Sequence, residues 1–274
     1  MRVLISADME GITGVTCPAD VEPGTPRWER ARRFLMSDVN AAIAGFVEAG
    51  ATEIVVNEAH ADKRNLLLDQ LDDRATAIIG THKRLGMMEG VEGADAVAFV
   101  GYHTGAGRQG VLAHTYAAQT VLEVRVNGEA ASEGRMNAML AAEFGVPIVM
   151  VTGDDLTCKD AAAWAANAQR VAVKECVDRY TAKCWPPART APMIREAAAR
   201  GLAGLTPVPK QAGPFRYEVF FDAAQPVAAC SAIPGVEETG ERCVTFTLPT
   251  MHAAIRCFKA VTVMAKASVE KTFG

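Results

Sequence analysis

The chain has 274 residues, half of them hydrophobic, and a formal net charge of −4 with both signs scattered along its length. It can bury one large core, or one core and a smaller unit, and it offers no charge block for gripping nucleic acid. No apolar stretch approaches the ~18 residues needed to span a bilayer, and no basic start leads through an apolar run to a cleavage site, so a cytoplasmic protein without a membrane or nucleic-acid partner is expected.

The first strand is Val3-Leu4-Ile5, followed by Ser6-Ala7-Asp8-Met9-Glu10-Gly11. Asp8 and Glu10 stand two residues apart, so an extended backbone projects both carboxylates to the same side. A Gly-, Pro- and Thr-rich loop over 11–25 ends at Thr25-Pro26, which reads as an N-cap with proline at the first helical position. A helix from Pro26 to Ala49 follows, with Phe34, Leu35, Val39, Ile43, Phe46 and Val47 at helical spacing and Gly50 as its stop. The strand Glu53–Asn57 then runs into Glu58-Ala59-His60-Ala61-Asp62, completing a β-α-β unit with a second polar cluster at the same sheet edge.

A short helix over 65–71 and strands over 75–79 and 95–100 come next, the last ending in Gly101-Tyr102-His103-Thr104-Gly105. His114 precedes a strand around 119–126, and Asn127-Gly128 marks a turn. Ser132-Glu133-Gly134 opens a helix to Phe144, and Pro147–Thr152 is a strand ending in Gly153-Asp154-Asp155. A helix over 156–167, a strand near 170–174 and a helix over 190–200 complete the main layer. The glycine- and proline-rich segment 201–214 is the candidate boundary. Strands near 216–221 and 242–248 and a helix over 249–270 follow it. The expected fold is α/β, a mostly parallel sheet flanked by helices over 1–203, with a smaller C-terminal α+β subdomain over 204–274.

Two acids at the end of a first strand are costly unless something positive neutralises them, and that end is where open α/β sheets bind ligands. Asp8, Glu10, His60, His103, His114 and Glu133 all fall at strand ends or glycine-punctuated turns, and three of the chain's five histidines are among them. Imidazole with carboxylate suits zinc, whereas magnesium favours oxygen alone. Six groups exceed the three that one catalytic zinc uses, so two ions ~3.5–4 Å apart, bridged by Asp8, use them better. Each residue also has a plainer reading. His60 and His103 suit structural histidines, Glu133 suits a first-turn glutamate favoured by the helix dipole, His82 a surface turn, and His252 a structural place at the last helix. Seven single cysteines without a C-x-x-C pair read as reduced thiols, with Cys17 as apolar filler or a reactive group near the opening motif.

Ser6-x-Asp8-Met9-Glu10-Gly11, Asn57-Glu58-x-His60, Gly101-Tyr102-His103, His114 three residues after Val111, and Glu133-Gly134-x-x-Asn137-Ala138 occur in this order. Together they resemble the zinc D-aminopeptidase family, the self-compartmentalising peptidases associated with bacterial dipeptide-transport operons. The resemblance spans nearly the whole chain, with Glu58 in place of an expected aspartate. It implies two zinc ions per subunit held by Asp8, Glu10, His60, His103 and Glu133, with His114 as the catalytic residue. It also implies a short-peptide substrate, D-Ala-D-Ala-like, and a ring-shaped homo-oligomer, a decamer in the family. His114 would then pass a proton to the leaving amine or stabilise the tetrahedral intermediate. Two other readings share the site: a zinc amidase for another small amide, and a haloacid-dehalogenase-like magnesium phosphotransferase with Asp8 as nucleophile and Asp154 and Asp155 holding the metal. A metal-binding or assembly protein without turnover is the non-enzymatic alternative.

Overall fold

The computed structural model describes residues 1–270. In chain order the first elements are β1 (Arg2–Ala7), α1 (Pro26–Glu48), β2 (Glu53–Glu58), β3 (Ala75–Ile78) and β4 (Ala96–Val100). There follow β5 (Val121–Val126), β6 (Glu129–Ala130), α2 (Glu133–Phe144), β7 (Ile148–Asp154), α3 (Asp155–Trp164), β8 (Gln169–Asp178) and β9 (Thr181–Cys184). The last are α4 (Pro187–Ala203), β10 (Phe215–Phe221), α5 (Gln225–Cys230), β11 (Glu237–Gly240), β12 (Cys243–Leu248) and α6 (Met251–Ala267).

The main sheet has seven strands in the order β3-β2-β1-β4-β7-β8-β9, parallel except for β9, which returns antiparallel along β8. Strand β1 is buried on both sides, and its alternating residues feed two cores. Val3 and Ile5 face a layer made by α1 and α4, with Leu35, Val39, Ile43, Phe46, Ile194 and Ala198. Leu4 faces the other way, toward Met136 and Leu140 of α2, Phe258 of α6 and the second sheet. Helix α1 starts as its sequence predicts: the Thr25 side chain accepts from the Trp28 amide and Pro26 takes the first position.

The second sheet runs β11-β12-β10-β5-β6. Its strands come from both sides of the expected division at 203/204, because β5 pairs antiparallel with β10 instead of joining the parallel layer. Val121, Val124 and Val126 make one buried face that meets the core on Tyr217, Val219 and Phe221. Residues 65–71 do not form the expected helix. They run irregularly with one 3-10 turn at Leu68–Gln70, and the Asn65 amide and side chain are taken by Glu58. Strands β9 and β11 and helix α5 were not expected from the sequence.

Candidate functional site

The connection order sets the place of the site. From β1 the chain builds leftward through β2 and β3, then returns to add β4, β7 and β8 on the right. The carboxyl edge between β1 and β4 is therefore a topological switch point, where loops diverge and leave a crevice. Strand β1 delivers Asp8 and Glu10 there, β2 delivers His60, and β4 delivers His103. Two backbone bonds hold the ends in register, from the Asp8 amide to the Val100 carbonyl at 2.8 Å and from Ala59 to Ala7 at 2.7 Å. Gly11 is needed for this closeness, since a Cβ there would lie 1.8 Å from the Tyr102 carbonyl oxygen.

All six sequence candidates meet in this crevice. His60 Nδ1 is 3.0 Å from Glu10 Oε2 and 3.4 Å from Asp8 Oδ1. His103 Nε2 is 3.4 Å from Asp8 Oδ2 and 3.7 Å from Glu133 Oε2. His114 Nε2 is 3.8 Å from Glu10 Oε1, and its ring stacks on His103 with centroids 4.3 Å apart. Glu133 arrives as the first residue of α2, capped by Ser132, and its Oε1 accepts from the Tyr116 amide at 2.7 Å.

The histidines share one arrangement. His60 Nε2 donates to the Val21 carbonyl, His103 Nδ1 to that of Thr104, and His114 Nδ1 to that of Leu112, at 2.9, 2.9 and 2.8 Å. A carbonyl only accepts, so each ring places its N–H there and turns its other nitrogen toward the carboxylates. In the neutral ring that nitrogen is a lone pair facing anions, an arrangement that calls for a cation between them. His103 Nε2 is buried and has no hydrogen-bond partner. Burial opposes a charge on this ring, yet Glu133, Asp8 and Glu10 raise it to about 10. His60 is likewise disfavoured by burial but raised well above its usual range by Glu10 and Asp8. Burial pushes Asp8 up, and contacts to His103 and His60 more than reverse that, holding it well below the ordinary carboxylate range.

The donor set fits a metal. Asp8, Glu10 and His60 form one group whose ligand atoms lie within 4.8 Å of one another, and Asp8, His103 and Glu133 form another. Asp8 belongs to both. A third grouping, Glu10 with His103 and His114, meets the same criterion, so distance alone also permits His114 as a ligand.

Residues 1–260 match the family model described as D-aminopeptidase. The chain belongs to the D-aminopeptidase family. It is 31% identical over 280 residues to the D-aminopeptidase of Bacillus subtilis (strain 168), with all of both chains covered. Among solved structures it resembles the Zn-dependent D-aminopeptidase DppA from Bacillus subtilis, a self-compartmentalizing protease, with a TM-score of 0.94 and 29% identity over 98% of this chain and 100% of that one.

In this D-aminopeptidase-family chain several motif residues lie beneath the cluster rather than in it. Ser6 Oγ lies 2.7 Å from the Tyr102 hydroxyl, which accepts from Asn137 Nδ2 at 3.0 Å, so three motif positions form one buried network under the floor. Glu58 Oε1 accepts from both the Asn65 amide and its side chain, and Asn65 Nδ2 also donates to the His60 carbonyl. The glutamate therefore holds the loop that presents His60. Lys174 donates to the carbonyls of Glu10, Ile12 and Val15, anchoring the opening motif from β8. Sequence reasoning missed its role; the available signal was a lysine directly after the apolar run Val171-Ala172-Val173.

The other singled-out residues lie elsewhere. Asp154, which the phosphotransferase reading needs beside Asp8, joins none of the metal-competent groups among the described residues and is engaged in backbone and hydroxyl contacts instead. Its Oδ1 accepts from the Thr157 amide and hydroxyl at 2.7 and 2.6 Å, and its Oδ2 from the Val111 amide at 2.7 Å. Asp155 Oδ1 accepts from the Cys176 amide. Cys17 sits outside the cluster, its amide donating to Asp20 and its sulfur accepting from Arg27. His82 is exposed in an irregular loop, and the His252 amide donates to Glu143 at the start of α6.

Proposed function

We propose that this chain is a zinc-dependent D-aminopeptidase that releases the N-terminal residue of short peptides. Two zinc ions per subunit would be held by Asp8, Glu10 and His60 and by Asp8, His103 and Glu133, with Asp8 bridging. The observation that carries the reading is the shared histidine arrangement: three rings tethered to backbone carbonyls present their free nitrogens to three carboxylates. Membership of the D-aminopeptidase family and likeness to a zinc-dependent relative support the choice of metal and reaction. Zinc held there supplies Lewis-acid polarisation of a peptide carbonyl and brings the pKa of water to about 7.

The chain's own residues do the rest. The Leu112 carbonyl fixes the His114 tautomer, so Nε2 is the atom that takes up a proton and returns it to the leaving amine. Glu10 Oε1 lies 3.8 Å from that nitrogen, and stacking on His103 fixes the ring plane. Tyr116, whose amide binds Glu133, sits at φ 55°, a costly conformation for a bulky residue and one found where a site constrains the backbone.

We further propose a ring-shaped homo-oligomer, a decamer, in the cytoplasm. The self-compartmentalizing character of the Bacillus subtilis relative supports the assembly. Among the described residues no helix is long and apolar enough to cross a membrane. Light scattering should give ten times the 29.1 kDa chain mass. The decisive experiment is turnover: zinc-loaded protein should release D-alanine from D-alanyl-D-alanine, a chelator should stop it, and the L,L-dipeptide should be a poor substrate. Hydrolysis that survives complete metal removal, or no hydrolysis by the loaded protein, rejects the proposal.

A further inference from the structure

The cluster lines a cavity of about 200 Å³, and beside it lies a second cavity of about 330 Å³. Lys63, Met87, Tyr116 and Lys266 line both, so the two form one cleft with a common wall. Charge changes along it. Asp8, Glu10 and Glu133 border only the first cavity, Lys83 and Lys259 only the second, and Lys63 and Lys266 stand in the shared wall; the lining of the second holds no carboxylate.

The four lysines are not equivalent. Lys83 uses all three of its donors internally, on Asn57 Oδ1 and the carbonyls of Glu58 and Ile78, at 2.8, 2.8 and 2.7 Å. Lys63 donates to the Ala59 carbonyl and Lys259 to the Lys83 carbonyl, which leaves each ammonium two further N–H donors. Lys266, in the last turn of α6, is exposed. Among the described residues, Lys63, Lys259 and Lys266 enter no ion pair.

A short peptide has matching polarity: an amine and scissile carbonyl at one end and a carboxylate at the other. We propose that the lysine-lined annex binds the C-terminal carboxylate of the peptide substrate, through Lys63, Lys259 and Lys266. The inference rests on the aminopeptidase reading and deepens it. The annex selects di- and tripeptides bearing a free carboxylate over amides of the same sequence, and the lysine contacts act on binding rather than on the chemical step.

The test uses the full-length zinc-loaded protein with D-alanyl-D-alanine and D-alanyl-D-alanine amide. Wild type should favour the free acid by about tenfold or more in kcat/KM, the worth of one charge-assisted contact, mainly through KM. In the Lys259→Gln/Lys266→Gln double variant the acid-to-amide ratio should fall toward one as KM for the acid rises. The Lys259→Arg/Lys266→Arg protein should restore the preference. Equal use of acid and amide by wild type, or an unchanged ratio in the glutamine variant, overturns the annex and leaves the aminopeptidase standing. Cleavage of neither compound overturns both.

Discussion

Lys174 offers a sharp test of how the site is held, because opposing effects of known size meet on one atom. The residue is fully buried on β8, and its Nζ donates to the carbonyls of Glu10, Ile12 and Val15 at 2.6, 2.9 and 2.7 Å. Burial lowers its pKa to about 8, against the pull of Asp154, Cys184, Asp38 and Glu10, so it is still charged at neutral pH. In Lys174→Met the desolvation cost disappears, a gain of about 3 kcal/mol from the size of that shift. Three buried carbonyls are left without a donor, at about 2 kcal/mol each, or roughly 6 kcal/mol together. The loss wins, and the metal-free protein should be less stable by about 3 kcal/mol in urea denaturation. Because one of the carbonyls belongs to Glu10, zinc affinity measured by competition with a chelating dye should fall as well. A stability change below about 1 kcal/mol with unaltered zinc binding would refute the reasoning. The loop would then be held by its own bonds, such as that from the Gly11 amide to the Gly101 carbonyl.

Further outcomes follow from the same geometry. Asp8→Ala should cost both zinc ions while Glu10→Ala weakens mainly one, read as metal stoichiometry after gel filtration; two tightly bound ions in Asp8→Ala would sink the bridge. His114→Ala should keep its zinc and lose turnover by about 10²–10⁴-fold, the usual worth of a positioned acid–base group; loss of metal in that variant would make His114 a ligand through its grouping with Glu10 and His103. Asp38 is buried under Thr13, and burial raises its carboxyl to about 6 against the Thr13 hydrogen bonds and Lys174. A raised pKa means the folded chain holds this proton more tightly, so its contribution is full below about 4 and is lost as pH rises through about 6. Asp38→Asn should flatten that part of the stability profile of the metal-free protein by on the order of 3 kcal/mol; superimposable profiles from urea melts would contradict it.

What the sequence shows and what it hides divide along the range of the interaction. Asp8, Glu10, His60, His103 and Glu133 were legible because each follows a strand or opens a helix, and parallel strands bring their carboxyl ends to one edge whatever lies between them. Strand β5 misled for the same reason: its buried valines are as compatible with the parallel layer as with pairing to β10, and only the partner 89 residues away, as in the Arg216–Asn127 bond, decides. Residues 65–71 looked helical because their apolar positions fit, yet Glu58 draws the Asn65 amide out of any helix. Lys174 and the lysine annex were illegible because an ammonium's role is set by which carbonyls or cavities surround it, and those come from remote segments. Such supporting groups also bear on the proposed centre: Asp8, Glu10, His60, His103 and Glu133 are its candidate ligands, while Lys174, Glu58 and Asn65 set the backbone from which Glu10 and His60 reach into the cluster. Substitutions among the supports should therefore shift zinc affinity without removing a ligand, the behaviour that separates a positioned metal site from a chance gathering of acids and histidines.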